Sequence, residues 1–149
     1  MEYIKPATIA DVPQLVDLLN LLFSQEADFV PDRENQRRGL EMIIASPEVG
    51  IIFAAHEADQ ILGMVSLLFT ISTAEGGRAC WLEDMVVRSD HRGKGLGSRL
   101  LKHAIDYAKT DGICRITLLT DKGNAKAIRF YQRHGFSPSA MTALRLPLF

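Results

Sequence analysis

The chain has 149 residues, 47% of them hydrophobic and 23% charged, and a formal net charge of −1. This length suits one domain with a real core, expected over residues 1–149, and the near-zero charge excludes a nucleic-acid binder that relies on overall charge. Cys80 and Cys114 lie in apolar runs at no metal or disulfide spacing, so both read as small core residues in a reducing, cytoplasmic setting; no signal-peptide layout or bilayer-length apolar run is present, and no metal, nucleic-acid or membrane partner is expected.

Tyr3–Pro6 reads as a short first strand. Thr8 or Asp11 can cap the helix that follows, in which Val12, Leu15, Val16, Leu19, Leu22 and Phe23 recur at helical spacing. Pro31-Asp32 interrupts the pattern, and Arg33–Ala45 forms a second helix that ends before Pro47. Val49–Ala55 and Ile61–Ile71, separated by the polar turn Glu57–Gln60, signal a hairpin. Thr73–Arg78 reads as a mobile loop and Ala79–Val87 as the next strand. Leu96, Leu100, Leu101, Ala104, Ile105 and Ala108 share one face of a long helix closed by Gly112. Ile113–Leu119 is a strand, Asn124–His134 a helix stopped by Gly135, and Phe136 opens a last strand region running out in a hairpin at Leu144–Leu148. Antiparallel pairing in the first half and helical crossovers in the second predict a mixed α/β sheet with helices on both faces.

Arg92-Gly93-Lys94-Gly95-Leu96-Gly97-Ser98 sits between a strand and a long helix. Alternate glycines let backbone approach a ligand closely, and the helix directs its unpaired N–H groups and positive dipole end back at the turn. Such a turn cradles anions, most often a phosphate or pyrophosphate. It lacks the early βαβ placement of a dinucleotide fingerprint, and Lys94 is not followed by Ser or Thr as in a nucleotide P-loop.

Val87–Gly97 resembles the acetyl-CoA signature of the GNAT acyltransferase superfamily, with Arg92, Gly95 and Gly97 in its fixed places. Asn124–Phe136, with Asn, a small residue, Phe130-Tyr131 and then Gly135-Phe136, resembles that family's later segment, in the family's order and at about its spacing. Trp81–Val87 looks most like the diamine and polyamine acetyltransferase branch, through Leu82-Glu83-Asp84. The resemblance implies a GNAT-like fold, with a central sheet of about six to seven strands splayed at the CoA site. It also implies transfer of an acetyl group from acetyl-CoA to a small primary amine. A protein or peptide N-acetyltransferase and a non-catalytic CoA-binding regulatory module are the alternatives.

The resemblance assigns the backbone of Arg92, Gly93, Lys94, Gly95, Leu96, Gly97 and Ser98 to the CoA pyrophosphate. It assigns that of Met85, Val86 and Val87 to the pantetheine arm, with Asn124 and Ala127 also at the cofactor. Tyr131 is the candidate general acid for the leaving thiolate. Glu83 is the candidate general base, because a carboxylate in an apolar run is costly unless paired or raised in pKa. On an alternating strand Glu83 shares a face with Trp81, Met85 and Val87, and Asp84 with Leu82 and Val86. Asp84 reads as a paired carboxylate or a substrate-charge residue. Glu26, Asp28, Asp32 and Glu34 cluster at the junction of the first two helices, and Glu26 and Asp28 with Glu83 and Asp84 are the candidate acceptor residues; solvated loop charge is the plainer alternative. His56, His91, His103 and His134 form no metal-spaced pair and take no catalytic role. The family implies a homodimer; an edge contact through Leu144–Phe149 and an intramolecular last strand both fit that tail.

Overall fold

The computed structural model describes residues 1–26 and 28–149. In chain order its elements are β1 (Tyr3–Pro6), α1 (Val12–Gln25), α2 (Arg33–Ala45), β2 (Gly50–Glu57), β3 (Gln60–Ser72), β4 (Gly77–Val87), α3 (Leu96–Thr110), β5 (Ile116–Leu118) and α4 (Ala125–Arg133). The five strands form one mixed sheet in the order β1-β2-β3-β4-β5, antiparallel except for the parallel β4–β5 pair.

Local chemistry sets the helix ends. The Thr8 N–H donates to the Asp11 carboxylate at 2.9 Å and opens a short 3₁₀ turn into α1. Asp32 caps α2 by accepting from the Asn35 N–H at 3.0 Å, and Asn124 caps α4 by accepting from the Ala127 N–H at 3.1 Å. Helices cover both faces of the sheet. On one, Leu96, Leu100, Leu101, Ala104 and Ala108 of α3 pack on Phe53, Leu62, Val65, Leu67, Cys80 and Leu82, with Phe130 and Tyr131 of α4 at the margin. On the other, Val12, Leu15, Val16, Leu18 and Leu19 of α1 and Leu40 of α2 pack on Ile52, Ala54, Ile61, Met64 and Val86. Gly63 permits the close approach of α3, since a Cβ there would stand 2.9 Å from Leu100 Cδ1 and 3.0 Å from the Val86 carbonyl oxygen.

Three expectations change. The sheet has five strands, not six or seven, because Phe136–Phe149 forms no strand. Leu144, Leu146 and Leu148 have strand spacing but are 94%, 79% and 78% exposed, with no face to bury against, and Pro138 and Pro147 remove backbone donors. The segment 73–78 is less a loop than a hairpin turn: β4 begins at Gly77, the Gly76 N–H donates to Ser72 O at 2.8 Å, and Glu75 pairs with Arg115 at 3.1 Å. Cys80 is buried, but Cys114 is exposed, because β5 has only three residues and starts after it.

Candidate active site

The site is built where β4 changes character. As far as Leu82 this strand pairs with β3 on one side and with β5 on the other. The β5 ladder ends at the Leu82–Leu118 pair, so Glu83–Val87 run on without a β5 partner. Apart from Val87 O, which accepts from Arg92 Nε, their backbone groups on that side are available to an extended ligand that supplies its own donors and acceptors. Met85, Val86 and Val87, expected at the pantetheine arm, lie on this stretch.

The same stretch carries a β-bulge. Met64 is opposite Val86 and Ser66 is opposite Glu83, so two residues, Asp84 and Met85, face the single Val65. Asp84 adopts φ +52°, left-handed backbone that Asp tolerates better than most residues. The extra residue shifts the alternation by one. Leu82 packs on the α3 side and Val86 on the α1 side, although strict alternation puts them together. This corrects the expected faces: Asp84 does not follow Leu82 but lines a cavity between α1 and α2. Glu83 is not grouped with Met85 and Val87, which pack towards α3; the two neighbouring carboxylates interact with each other and with Glu26. Strict period-two alternation does not contain this arrangement. Its only trace in the chain is an Asp, tolerant of left-handed backbone, inside a strand run.

Burial raises the Glu83 carboxyl above its usual pKa. Asp84 is more deeply set; burial, then the Glu83 and Glu26 charges, push it up to about 7. Glu26 is also raised, first by burial and then by Asp121, Glu83 and Asp28. Glu26, at the end of α1, thus joins the β4 carboxylates, whereas the other acids of its cluster have structural duties. Asp28 pairs with Arg145 at 2.7 Å, Asp32 caps α2, and Glu34 bonds Arg37. Directly across from Glu83, the buried Ser66 hydroxyl has no hydrogen-bond partner among the described residues.

On the far side stands α3. Gly95 is its N-cap with φ +81°, Gly93 precedes it with φ +78°, and no side chain caps the helix. The first intrahelical bond of this end runs from the Arg99 N–H to Gly95 O, which leaves the amides of Leu96, Gly97 and Ser98 for an outside acceptor. A Cβ on Gly97 would meet Met85 Cε and Phe130 Cζ at 3.6 Å, ordinary contact, so neither packing nor backbone conformation demands glycine there. Arg92 donates from Nε to Val87 O at 3.2 Å and Lys94 is exposed. Such a turn fits a pyrophosphate through backbone N–H groups with cations at its rim.

Tyr131 packs edge-on against Phe130 and Phe136, at ring-centroid distances of 5.2 and 5.7 Å. Burial, helped by the Glu26 charge, pushes its phenol up to about 12, so it keeps its proton at neutral pH. Asn124 spends its side-chain oxygen on the cap, and the amide of Ala127 is the donor in that bond.

The histidines stand apart from this chemistry. His91 bonds Asp90 at 2.9 Å, His134 reaches Ser98 Oγ at 3.1 Å, and His56 stacks on Tyr3. His103 lies edge-on to Phe53, 4.7 Å between centroids. Among the described residues no group of three His, Cys, Asp or Glu side chains could hold a metal ion, and no helix is long and apolar enough to cross a membrane.

A family model for the acetyltransferase (GNAT) family matches residues 13–136. The chain is 32% identical over 118 residues to the uncharacterized N-acetyltransferase YhfO of Bacillus subtilis (strain 168), a match covering 77% of this chain and 78% of that one. It is 43% identical over 85 residues to streptothricin acetyltransferase of Streptomyces lavendulae, covering 57% of this chain but only 43% of that protein. In fold it is similar to a predicted acetyltransferase, with acetyl-CoA, from Clostridium acetobutylicum, with a TM-score of 0.78 at 21% identity and coverage of 99% and 97% of the two chains. These relatives do not single out the diamine and polyamine branch.

Proposed function

The chain belongs to the acetyltransferase (GNAT) family, and from that premise we propose that it moves an acetyl group from acetyl-CoA to the primary amine of a small molecule, by direct attack in a ternary complex. One observation carries the reading: β4 parts from β5 at Leu82, between the uncapped amides of α3 and the Glu83-Asp84 carboxylates. A thioester arm laid along the unpaired stretch brings its acyl carbon to the carboxylates while its pyrophosphate meets Leu96, Gly97 and Ser98.

In the proposed reaction the amine nitrogen attacks the thioester carbonyl carbon, so a C–N bond forms and the C–S bond breaks. A backbone N–H of Met85 or Val86 polarises the carbonyl and stabilises the developing oxyanion. Glu83 accepts a proton from the ammonium, directly or through water, and its raised pKa suits that task. Tyr131 gives its proton to the departing CoA sulfur. The sum is an ammonium and acetyl-CoA giving an acetamide, free CoA thiol and one proton. A cavity of about 280 Å³ beside Asp84 supports a small acceptor over a peptide.

The test is thiol release from acetyl-CoA with polyamines, monoamines, amino acids, aminoglycosides and peptides. Activity that is strongest with a small amine is the expected result. Release with no acceptor in the panel, alongside intact CoA binding, would leave the regulatory CoA-binding module instead.

A further inference from the structure

We infer, resting on the acetyltransferase reading above, that the acceptor is a small monoamine with an apolar body and no carboxylate, its ammonium held by Asp84 and its body seated between α1 and α2.

The cavity that Asp84 lines has a volume of about 280 Å³. Its walls are apolar: Leu19 and Phe23 come from α1, Phe29 and Val30 from the connection, and Leu40 and Ile43 from α2. The polar groups along it are nearly all spent inside the protein. Asp32 caps Asn35, and the Asn35 side-chain oxygen accepts from Arg38. Gln36 accepts from the Asp32 N–H at 2.8 Å and donates to Val16 O at 3.1 Å. Asp84 is the exception: it is half-buried, lines the cavity, and has no hydrogen-bond or ion-pair partner among the described residues. A half-buried carboxylate without a partner calls for a cation.

One such group recognises one charge. Asp32 is the other acid of the lining, and one of its oxygens already accepts from the Asn35 N–H, so the second ammonium of a polyamine would meet a carboxylate in use or the side chains of leucine and phenylalanine. The carboxylate of an amino acid would meet Asp84, Glu83 and Glu26, three neighbouring acids whose charges already press on Asp84. Arg145, the cation at this rim, is held by Asp28 at 2.7 Å and lies over the Phe29 ring.

Two substitutions probe the cavity with the fold intact. Asp84→Asn removes the charge from a residue at φ +52°, a conformation Asn also adopts. Gly39→Leu fills from the opposite wall, where a Cβ meets nothing within 4 Å. Calorimetric titration at about pH 8 with CoA present compares phenethylamine, cadaverine and phenylalanine. The expected result is phenethylamine bound at least about tenfold more tightly than the other two, and weakened about tenfold or more by each substitution. Cadaverine or phenylalanine binding as tightly, or phenethylamine indifferent to both substitutions, overturns the inference. Because binding is read without turnover, the two proposals fail separately. Phenethylamine that binds as stated but releases no thiol sinks the catalytic reading alone. Thiol released by another class of amine, with phenethylamine unbound, sinks only this inference.

Discussion

Replacing Asp84 by Asn should stabilise the ligand-free protein, and by an amount that grows with pH. In an unfolded chain the carboxyl ionises near its ordinary value of 3.8; in the folded protein burial, Glu83 and Glu26 hold the proton until about 7. Across that window the folded state binds the extra proton, so stability is full below the unfolded value and is lost as pH rises through the folded one. At 1.36 kcal/mol per tenfold, the penalty is about 2 kcal/mol near pH 5 and about 4 kcal/mol near pH 8.5. Asn cannot ionise, so the advantage of the Asp84→Asn variant should widen by about 2–3 kcal/mol between those conditions. Urea unfolding of both proteins at the two pH values measures this difference. Any change in packing from the substitution appears at both pH values and cancels. An advantage of the variant that is equal at the two pH values, or larger at the lower, would refute the claim that Asp84 is buried against like charge.

Glu83→Gln should lower kcat about tenfold or more with little change in CoA affinity, as expected for a base that acts on the amine. Tyr131→Phe should also lower kcat about tenfold or more, and because the phenol is pushed up to about 12, the wild-type rate should show no alkaline fall from this group below about pH 11; a tyrosine-dependent fall near pH 9 would contradict that. Gly95→Ala should weaken CoA binding about tenfold and destabilise the fold by about 1–2 kcal/mol, since φ +81° is costly for any Cβ even though Arg99 Nη1, 3.2 Å away, can move aside; isothermal titration and urea unfolding read the two effects. Removing residues 144–149 should cost less than about 1 kcal/mol, because its leucines and Phe149 are exposed and the Arg145–Asp28 pair is a surface ion pair; a large fall in unfolding midpoint would show that the tail packs after all.

What the sequence disclosed followed from regular patterns. The leucines and alanines of α3, the break at Pro31-Asp32, the helix start at Asn124 and the Gly112 and Gly135 stops are local signals, and each matches the structure. The turn at Arg92–Ser98 was legible because glycine spacing and the start of a helix are both local. What escaped depends on partners far away in the chain. The bulge exists because Val65 faces two residues of β4, a fact of strand register that no alternation count contains. The length of β5 depends on where β4 leaves it, so Cys114 was read into a strand that starts two residues later. Leu144, Leu146 and Leu148 alternate like a strand, but alternation shows only that a face is available, not that anything covers it. Asp28 is among the candidate acceptor acids of the chain, and its pairing with Arg145, at a sequence separation of 117, is invisible to local spacing.

The two irregularities of β4 fall together for a physical reason, and the proposed chemistry uses both. A bulge bends its strand and increases its twist, which here coincides with the loss of the β5 ladder after Leu82. Without the bulge, Glu83 and Asp84 would point to opposite faces, and one would lie among the aliphatic residues under α3. With it, Asp84 lines the α1–α2 cavity beside Glu26, while the adjoining backbone is left without a strand partner. Donor and acceptor are thereby brought to one short segment of β4, the amine from the cavity and the thioester along the open edge. A change that removed the extra residue would separate them, so deleting Met85 should abolish transfer, and restored pairing of β4 with β5 should appear as added amide protection at Glu83–Val87. Full activity in the deletion would mean that the carboxylates act without the bulge.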